Sequence, residues 1–460
     1  MLVVVRQWNF ALLLLAGLIS SVGDLVLTIA LPFYVYDLTH SALQTGAMFI
    51  ASALPGLLVG SVAGVFVDRW DRKRTMVAAD LSRVVLMLLL LAVRSRDALW
   101  IVYLVAFVES SVSRFFTPAK SAFIPHLVTA ERLTAANSLD SLSGSIVNLI
   151  APSLGGALLV LLGLSGVVLV DSVSFLLSGL LIALIVAPSA GASTVAGSAV
   201  TSSIRAWGAV WREWLDGLRL VQRDCLLLTL FTVMGLAMLV QGILTALNVV
   251  FVKDVLHGSA AVFGWMVTAT GVGGLIGGVV MGQSGPRMSP PRLIALGLGA
   301  AGVILVVRTT VPVLPLFLAL TALAPVFITG VTISLQTLFQ SGVPDQYRGR
   351  IFASFGTTTS GTTTSLLLLG GLGLGSVLGS RLSVVVLLDG AGGHFVLSGV
   401  VALVLLPTAV RANERLTEAE VVQGPTANEK CYQKENMALD RGATAAGGSA
   451  TSLYGGPDGK

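Results

Sequence analysis

Charge is what this sequence has least of. Of 460 residues, 28 are Lys or Arg and 23 are Asp or Glu, 11% of the chain, while 55% are hydrophobic. A soluble domain carries about 25% charged residues, so this chain has too few to cover a water-facing surface of its size. A soluble enzyme, a nucleic-acid-binding domain and a secreted scaffold are excluded together. Cysteine is nearly absent: Cys225 and Cys431 are the two, too few for a disulfide framework. The four histidines, His40, His126, His257 and His394, are scattered without metal-ligand spacing. The only Gly-Lys pair is Gly459-Lys460, so a phosphate-cradling loop is missing and an ATP-driven pump within this chain is excluded. No catalytic residue, metal or cofactor is expected.

What is there instead is a regular series of apolar runs. Spans are expected near 9–37, 43–67, 75–93, 98–118, 134–163, 165–187, 225–251, 261–282, 292–308, 311–338, 350–379 and 383–406. Each is long enough for a membrane helix of about 20 residues. The first is far longer than a signal-peptide core and no small-residue cleavage site follows it, so it reads as a retained span. Lys and Arg set the orientation. With the N-terminus cytoplasmic, Arg6 and the inner loops hold 15 of them, and the outer loops hold 5: Arg94, Arg96, Lys253, Arg308 and Arg381. That asymmetry accounts for the net charge of +5 without a polyanionic partner, and it places both termini in the cytoplasm.

Composition shifts divide the chain. Residues 188–204 are small and polar, and Arg205–Arg223 carries Trp207, Trp211, Trp214 and Leu218 at helical spacing with charges between, as expected of a helix lying on the cytoplasmic interface. The expected organisation is a bundle at 1–187, a linker at 188–224, a second bundle at 225–406 and a disordered cytoplasmic tail at 407–460. The halves also echo each other: Pro125 opens a charged turn and a small-residue helix start after the fourth span, as Pro344 does after the tenth. An all-α integral membrane protein of 12 helices in two pseudo-symmetric six-helix bundles follows, as in two-bundle transporters.

The most specific motif lies between the second and third spans, Gly60-Ser-Val-Ala-Gly64-Val-Phe-Val-Asp68-Arg69-Trp-Asp71-Arg72-Lys73-Arg74. Gly60 and Gly64 allow a neighbouring helix to approach, and Asp68, Arg69 and Arg72 can form a charge cluster that breaks when the cytoplasmic side opens. A plain positive-inside anchor is the simpler alternative. At Gly64, Asp68, Arg69, Arg72 and Lys73 the chain resembles the signature loop of the major facilitator superfamily, with Asp71 where that family usually has glycine. The Asp-Arg-Trp-Asp-Arg-Lys-Arg form is similar to the macrolide-efflux-type branch of drug:proton antiporters. So are Gly23-Asp24, Ala30-Leu31-Pro32, Asp80-x-x-Arg83, Phe116-Thr-Pro118-Ala119 and Arg348-Gly349-Arg350. The equivalent loop in the second half, ending at Arg287, lacks the acid. The resemblance covers about residues 9–406 and implies a carrier, not an enzyme, in the cell (inner) membrane, functional as a monomer. Asp80, Arg83 and Arg114 stand near the cytoplasmic span ends and are expected to join the latch. Ala151-Pro152-Ser-Leu-Gly155-Gly156 resembles the antiporter motif and marks Pro152, Gly155 and Gly156 as a candidate helix bend, with plain packing an even alternative.

Ionisable groups deep in lipid are costly and point to function. Asp24 lies mid-span in the first helix, Glu109 in the fourth, and Asp140 two turns into the fifth. Burial of a carboxyl favours its protonated form, the property that coupling to a proton gradient needs. Glu109 could instead be structural, paired with Arg114 or a hydroxyl. Asp171 is placed near the outer surface. The second half is expected to hold almost no deep charge, only amides and hydroxyls. Asn148, Gln241, Asn248 and Gln336 are the expected substrate-cavity residues, with Thr357–Thr364 more suited to interhelical hydrogen bonds. Gly274/Gly278/Gly282 and Gly371/Gly375/Gly379 read as packing stripes. Such a cavity suits amphipathic organic molecules, cationic ones included, rather than sugars or phosphates. The expected function is export of hydrophobic drugs or metabolites driven by the proton gradient. The partners are a small-molecule substrate and the lipid bilayer, with no nucleic acid. A proton-coupled nutrient importer, a siderophore or lipid exporter, and a non-transporting receptor are the alternatives.

Overall fold

The structure, a computed structural model, describes residues 6–59, 66–67, 70–186, 225–285, 288–342 and 362–423. The motif residues Gly64, Asp68 and Arg69, the Arg205–Arg223 stretch, Arg348–Ala353 and Thr357–Ser360 lie outside them. Secondary structure in the described residues is helical: α1 (Trp8–Thr39), α2 (Ala42–Leu58), α3 (Arg72–Leu89), α4 (Leu99–Phe123), α5 (Leu133–Ala183), α6 (Cys225–Asp254), α7 (Ala260–Ser284), α8 (Pro290–Thr310), α9 (Leu314–Gly342), α10 (Thr362–Gly379) and α11 (Val384–Gln423). Nine of these regions are long and apolar enough to cross a membrane, and α2 and α10 are shorter apolar helices. Helices are the natural solution in lipid, because each satisfies its own backbone polar groups. By packing, the chain divides into Met1–Leu406 and Pro407–Lys460; the described part of the second unit, 407–423, is helical.

Helix ends follow local chemistry. His40, in the left-handed region at φ 50°, closes α1 with its N–H on the Tyr36 carbonyl, and Ser41 caps α2 by accepting from the Gln44 N–H. Asp71 caps α3, its carboxylate accepting from the Arg74 N–H at 2.8 Å. An acid at this position satisfies a free N–H and favours the positive helix end, which is a use for the side chain that a glycine there would lack.

The 51 residues of α5 are two helices joined without a loop. Gly163 is the one non-helical residue inside it, at φ 65° and ψ −178°. A Cβ added to Gly155 would lie 2.8 Å from Val26 Cα, and one added to Gly23, one turn away on α1, would lie 3.2 Å from Asp171 Cγ. Residues 155 and 171 are equidistant from Gly163, and a straight helix would set them roughly 24 Å apart. Both meet the same turn of α1, so the chain reverses at Gly163. The sequence places its fifth span's end here as well.

Between 6 and 186 the core forms two apolar clusters. One gathers Phe10, Leu13, Met76, Phe116, Phe123 and Ile182; the other gathers Val26, Leu31, Met87, Val102, Val168 and Phe175. In the second half, close backbone approach takes over. Gly375 admits Ile243 of α6, and Gly302 of α8 admits the Gly392 carbonyl of α11. The stripe Gly371/Gly375/Gly379 packs on α6 as expected, but Gly274, Gly278 and Gly282 face open space. Their neighbours Gly273 and Gly277 do the packing, against Ala322 and Thr329 of α9. Two glycine stripes one residue apart run along α7, and spacing alone does not say which faces a helix.

Candidate functional site

Between the two apolar clusters of the first half lies a layer of charge. Asp24 comes from α1, Asp80 and Arg83 from α3, Glu109 from α4, and Asp171 and Ser178 from the return arm of α5. Asp80 and Asp171 are 0% exposed and Arg83 is 1% exposed. Arg83 Nη1 stands 3.4 Å from Asp80 Oδ1, its Nη2 donates to Ser113 Oγ at 2.6 Å, and its Nε is 3.8 Å from Glu109 Oε1. The guanidinium is sandwiched between the rings of Phe116 and Phe175, 5.2 and 5.1 Å from their centroids. Ser178 donates to the other Asp80 oxygen at 2.6 Å, and Ser174 stands 3.2 Å from Asp171 Oδ1. Asp24, Glu109, Asp80 and Asp171 all act electrostatically on Arg83.

One side of this layer meets a cavity. Asp24 and Glu109 line a cavity of about 330 Å³, together with Thr28, Ser52, Ser110 and Arg114. The two carboxyl groups are close enough to act on each other. The structure therefore brings Asp24 and Glu109 into one site and sets the third expected proton-coupling acid, Asp140, elsewhere. Asp140 pairs with Lys120 at 2.5 Å, away from the layer, so it is not grouped with the other two acids. Asp80 and Arg83, expected at the cytoplasmic latch, are buried in the layer, because the third span is entered at Arg72 and they sit two to three turns in. Arg114 lines the cavity beside Gly56. Glu109 faces Arg83 rather than Arg114 as its ion-pair partner. Asp171, expected near the surface, is fully buried because the chain reverses at Gly163 and brings it down against Gly23.

Of the described latch residues, Arg72 contacts His126. Lys73 Nζ donates to the Ala183 and Ile185 carbonyls at 2.8 and 2.7 Å, where free carbonyls and the negative helix end favour a cation. These contacts stay within the first half. The described polar contacts between the halves lie at the opposite end and part-way along α5 and α7, where Thr268 also donates to the Leu149 carbonyl at 3.0 Å. The Tyr36 hydroxyl donates to Asp254, Lys253 pairs with Asp37 and stands 5.0 Å from the Phe33 ring centre. The Ser153 and Thr268 hydroxyls are 2.7 Å apart. Pro152 does not break α5; the Gly155 and Gly156 positions let α1 and α7 approach it.

The second half holds its own cavity, about 280 Å³, lined by Met234, Gln241, Asn248, Gln336, Phe339 and Arg308 among others. Three of the four expected cavity residues are thus together; Asn148 is exposed on α5 and lines neither cavity. Arg308, counted as an outer-loop residue by sequence, is 7% exposed, in the last turns of α8. Its Nη1 donates to Thr321 at 3.2 Å and its Nη2 to Asn248 at 3.1 Å, and it lies 5.2 Å from the Phe317 ring centre. Sequence reasoning missed it because an arginine near a span end reads as interfacial.

Apolar helices of membrane-spanning length packed around polar cavities are the architecture of a membrane carrier. The Major Facilitator Superfamily model matches residues 13–366, and the chain belongs to that family. It is 26% identical to macrolide efflux protein A of Streptococcus pyogenes over 403 residues, 86% of this chain and 94% of the relative. It is likewise 26% identical to the multidrug efflux pump Tap of Mycolicibacterium fortuitum over 364 residues, 76% of this chain and 85% of that one. Among solved structures, a bacterial homologue of the iron transporter ferroportin in an inward-facing state shares the fold, with a TM-score of 0.65 at 20% identity. The match covers 87% of this chain and 98% of that one. The protein is a multi-pass membrane transporter of a family that carries small molecules and is not enzymatic.

Proposed function

We propose that this transporter exports hydrophobic or amphipathic organic molecules in exchange for protons. In this reading twelve spans form two six-helix bundles, residues 1–187 and 225–406, joined by the 188–224 linker. The chain acts as a monomer in the cell (inner) membrane with both termini cytoplasmic. The observation that carries the coupling is the pair Asp24 and Glu109, facing one cavity and backed by Arg83. Four carboxyl groups share a layer with one guanidinium, and full ionisation would bury three uncompensated charges, which lipid and protein interiors penalise heavily. The layer is therefore suited to hold protons and to exchange them where it meets the cavity. The two relatives named as efflux proteins support export as the direction.

With the termini inside, the Tyr36–Asp254 and Asp37–Lys253 contacts close the outer end, and the cavities open towards the cytoplasm. Cargo enters there, the halves rock, and protons arriving from outside reload the acids and reset the carrier.

The test is uptake of a macrolide and of a hydrophobic dye by inverted vesicles with an acidic lumen. Wild type should accumulate both, while Asp24→Asn and Glu109→Gln lose uphill uptake at least about tenfold and keep downhill exchange. If both variants pump like wild type, the coupling assignment fails. Uphill flux that survives an uncoupler removes proton antiport, and accumulation driven by the opposite gradient would mark an importer.

A further inference from the structure

We propose that the second-half cavity is a subsite for the acidic group of an amphipathic anion, with Arg308 as its counter-ion. This deepens the export reading above and rests on it only for the statement that the bound molecule is cargo. Arg308 is a permanent cation buried beyond nine-tenths. Its partners are neutral: the Asn248 amide oxygen, the Thr321 hydroxyl and the Phe317 ring. Its Nε is buried without a hydrogen-bond partner.

Among the described residues no carboxylate pairs with it, in contrast to Arg83. The nearby acid Asp389 accepts from Thr309 instead. A buried cation is costly without a counter-charge, and Arg308 is placed in the wall of a cavity large enough to admit one. Its planar donor fork matches a carboxylate better than any neutral acceptor.

The rest of the wall says what the anion is attached to. Below the level of Asn248 the lining is mostly apolar, through Leu244 and Met238 to Met234, Leu335 and Phe339, with Gln241, Thr332 and Gln336 as polar interruptions. From Asn248 to Met234 the cavity follows α6 for roughly 21 Å at the helical rise. A carboxylate at Arg308 with an elongated apolar body running down this wall satisfies both. A second cation would be repelled by Arg308, and a neutral polar molecule would leave it uncompensated.

The test uses the full-length protein in lipid nanodiscs and three probes that share one apolar body: 4-butylbenzoate, 4-butylbenzamide and 4-butylbenzylamine. Affinities are read by isothermal titration. The benzoate should bind at least about tenfold more tightly than the amide or the amine. Arg308→Gln should bring the benzoate to the level of the amide while amide binding stays within about twofold, and Arg308→Lys should keep part of the preference. Equal binding of benzoate and amide by wild type overturns the proposal, whatever becomes of the variants. A preference that survives Arg308→Gln overturns it too. Asp24→Asn should keep the preference, so a chain that prefers the benzoate yet shows no proton-driven flux fails the export reading and upholds this one.

Discussion

Arg83 is ringed by four carboxyl groups, one serine and two aromatic rings, whereas Arg308 has an amide, a hydroxyl, one ring and, among the described residues, no paired acid. Both are buried at comparable cost, and the difference lies in what balances each. In the first half the balance is internal: acids from α1, α3, α4 and α5 surround the cation and hold four helices in register. In the second half the helices are held by close backbone approach at glycines, and the cation is left facing a cavity. A buried charge that is compensated from within ties helices together; one that is not leaves a place for a counter-ion.

The sharpest way to break this contrast is to remove each cation. Arg83→Ala should destabilise the protein by about 3–5 kcal/mol, the range for breaking a buried ion pair and leaving its partners alone. Arg308→Gln should cost less than about 1 kcal/mol, because no buried acid is orphaned and a desolvated charge is relieved. Thermal melting of the two variants in the same detergent checks this, and equal losses would erase the distinction.

The second half's reliance on backbone approach is tested next. A valine at Gly375 meets Ile243 Cα, which a Cβ alone would approach to 2.9 Å, and should cost about 1–3 kcal/mol by overpacking. Gly274→Val points into open space and should fall within about 0.5 kcal/mol of wild type. A modest effect is expected where the halves meet. Tyr36→Phe removes one hydrogen bond to Asp254, worth about 1 kcal/mol. It should raise outer-side labelling of a cysteine introduced at Thr28 roughly fivefold, with folded yield unchanged.

How much of this was legible in the sequence depends on the residue. Span positions were clear, since lipid demands long apolar runs and the loops carry their own punctuation; even the reversal at Gly163 fell at an expected boundary. Asp24 and Glu109 were legible because a lone acid in an apolar run is too costly to keep without a use. Asp171 and Arg308 were not, since their depth depends on tilt and on where a helix turns back, and both stand near expected span ends. Asp80 and Arg83 were drawn to the latch by a motif read along one stretch of sequence. Their partners Ser178 and Glu109 lie 98 and 26 residues away and come together only by packing. The choice between the Gly273/Gly277 and Gly274/Gly278 stripes likewise needed the neighbouring helix.

The charged layer is a room whose door, among the described residues, is the cavity at Asp24 and Glu109. Dry clusters form its floor and ceiling, Asp80 and Asp171 sit at the back with no exposure, and Asp24 and Glu109 stand on the threshold. Anything lodged in that cavity stands in the doorway. In the proposed exchange, rivalry between cargo and proton would be settled by floor plan before affinity enters, and a cargo too small to block the entrance would be carried with poor coupling.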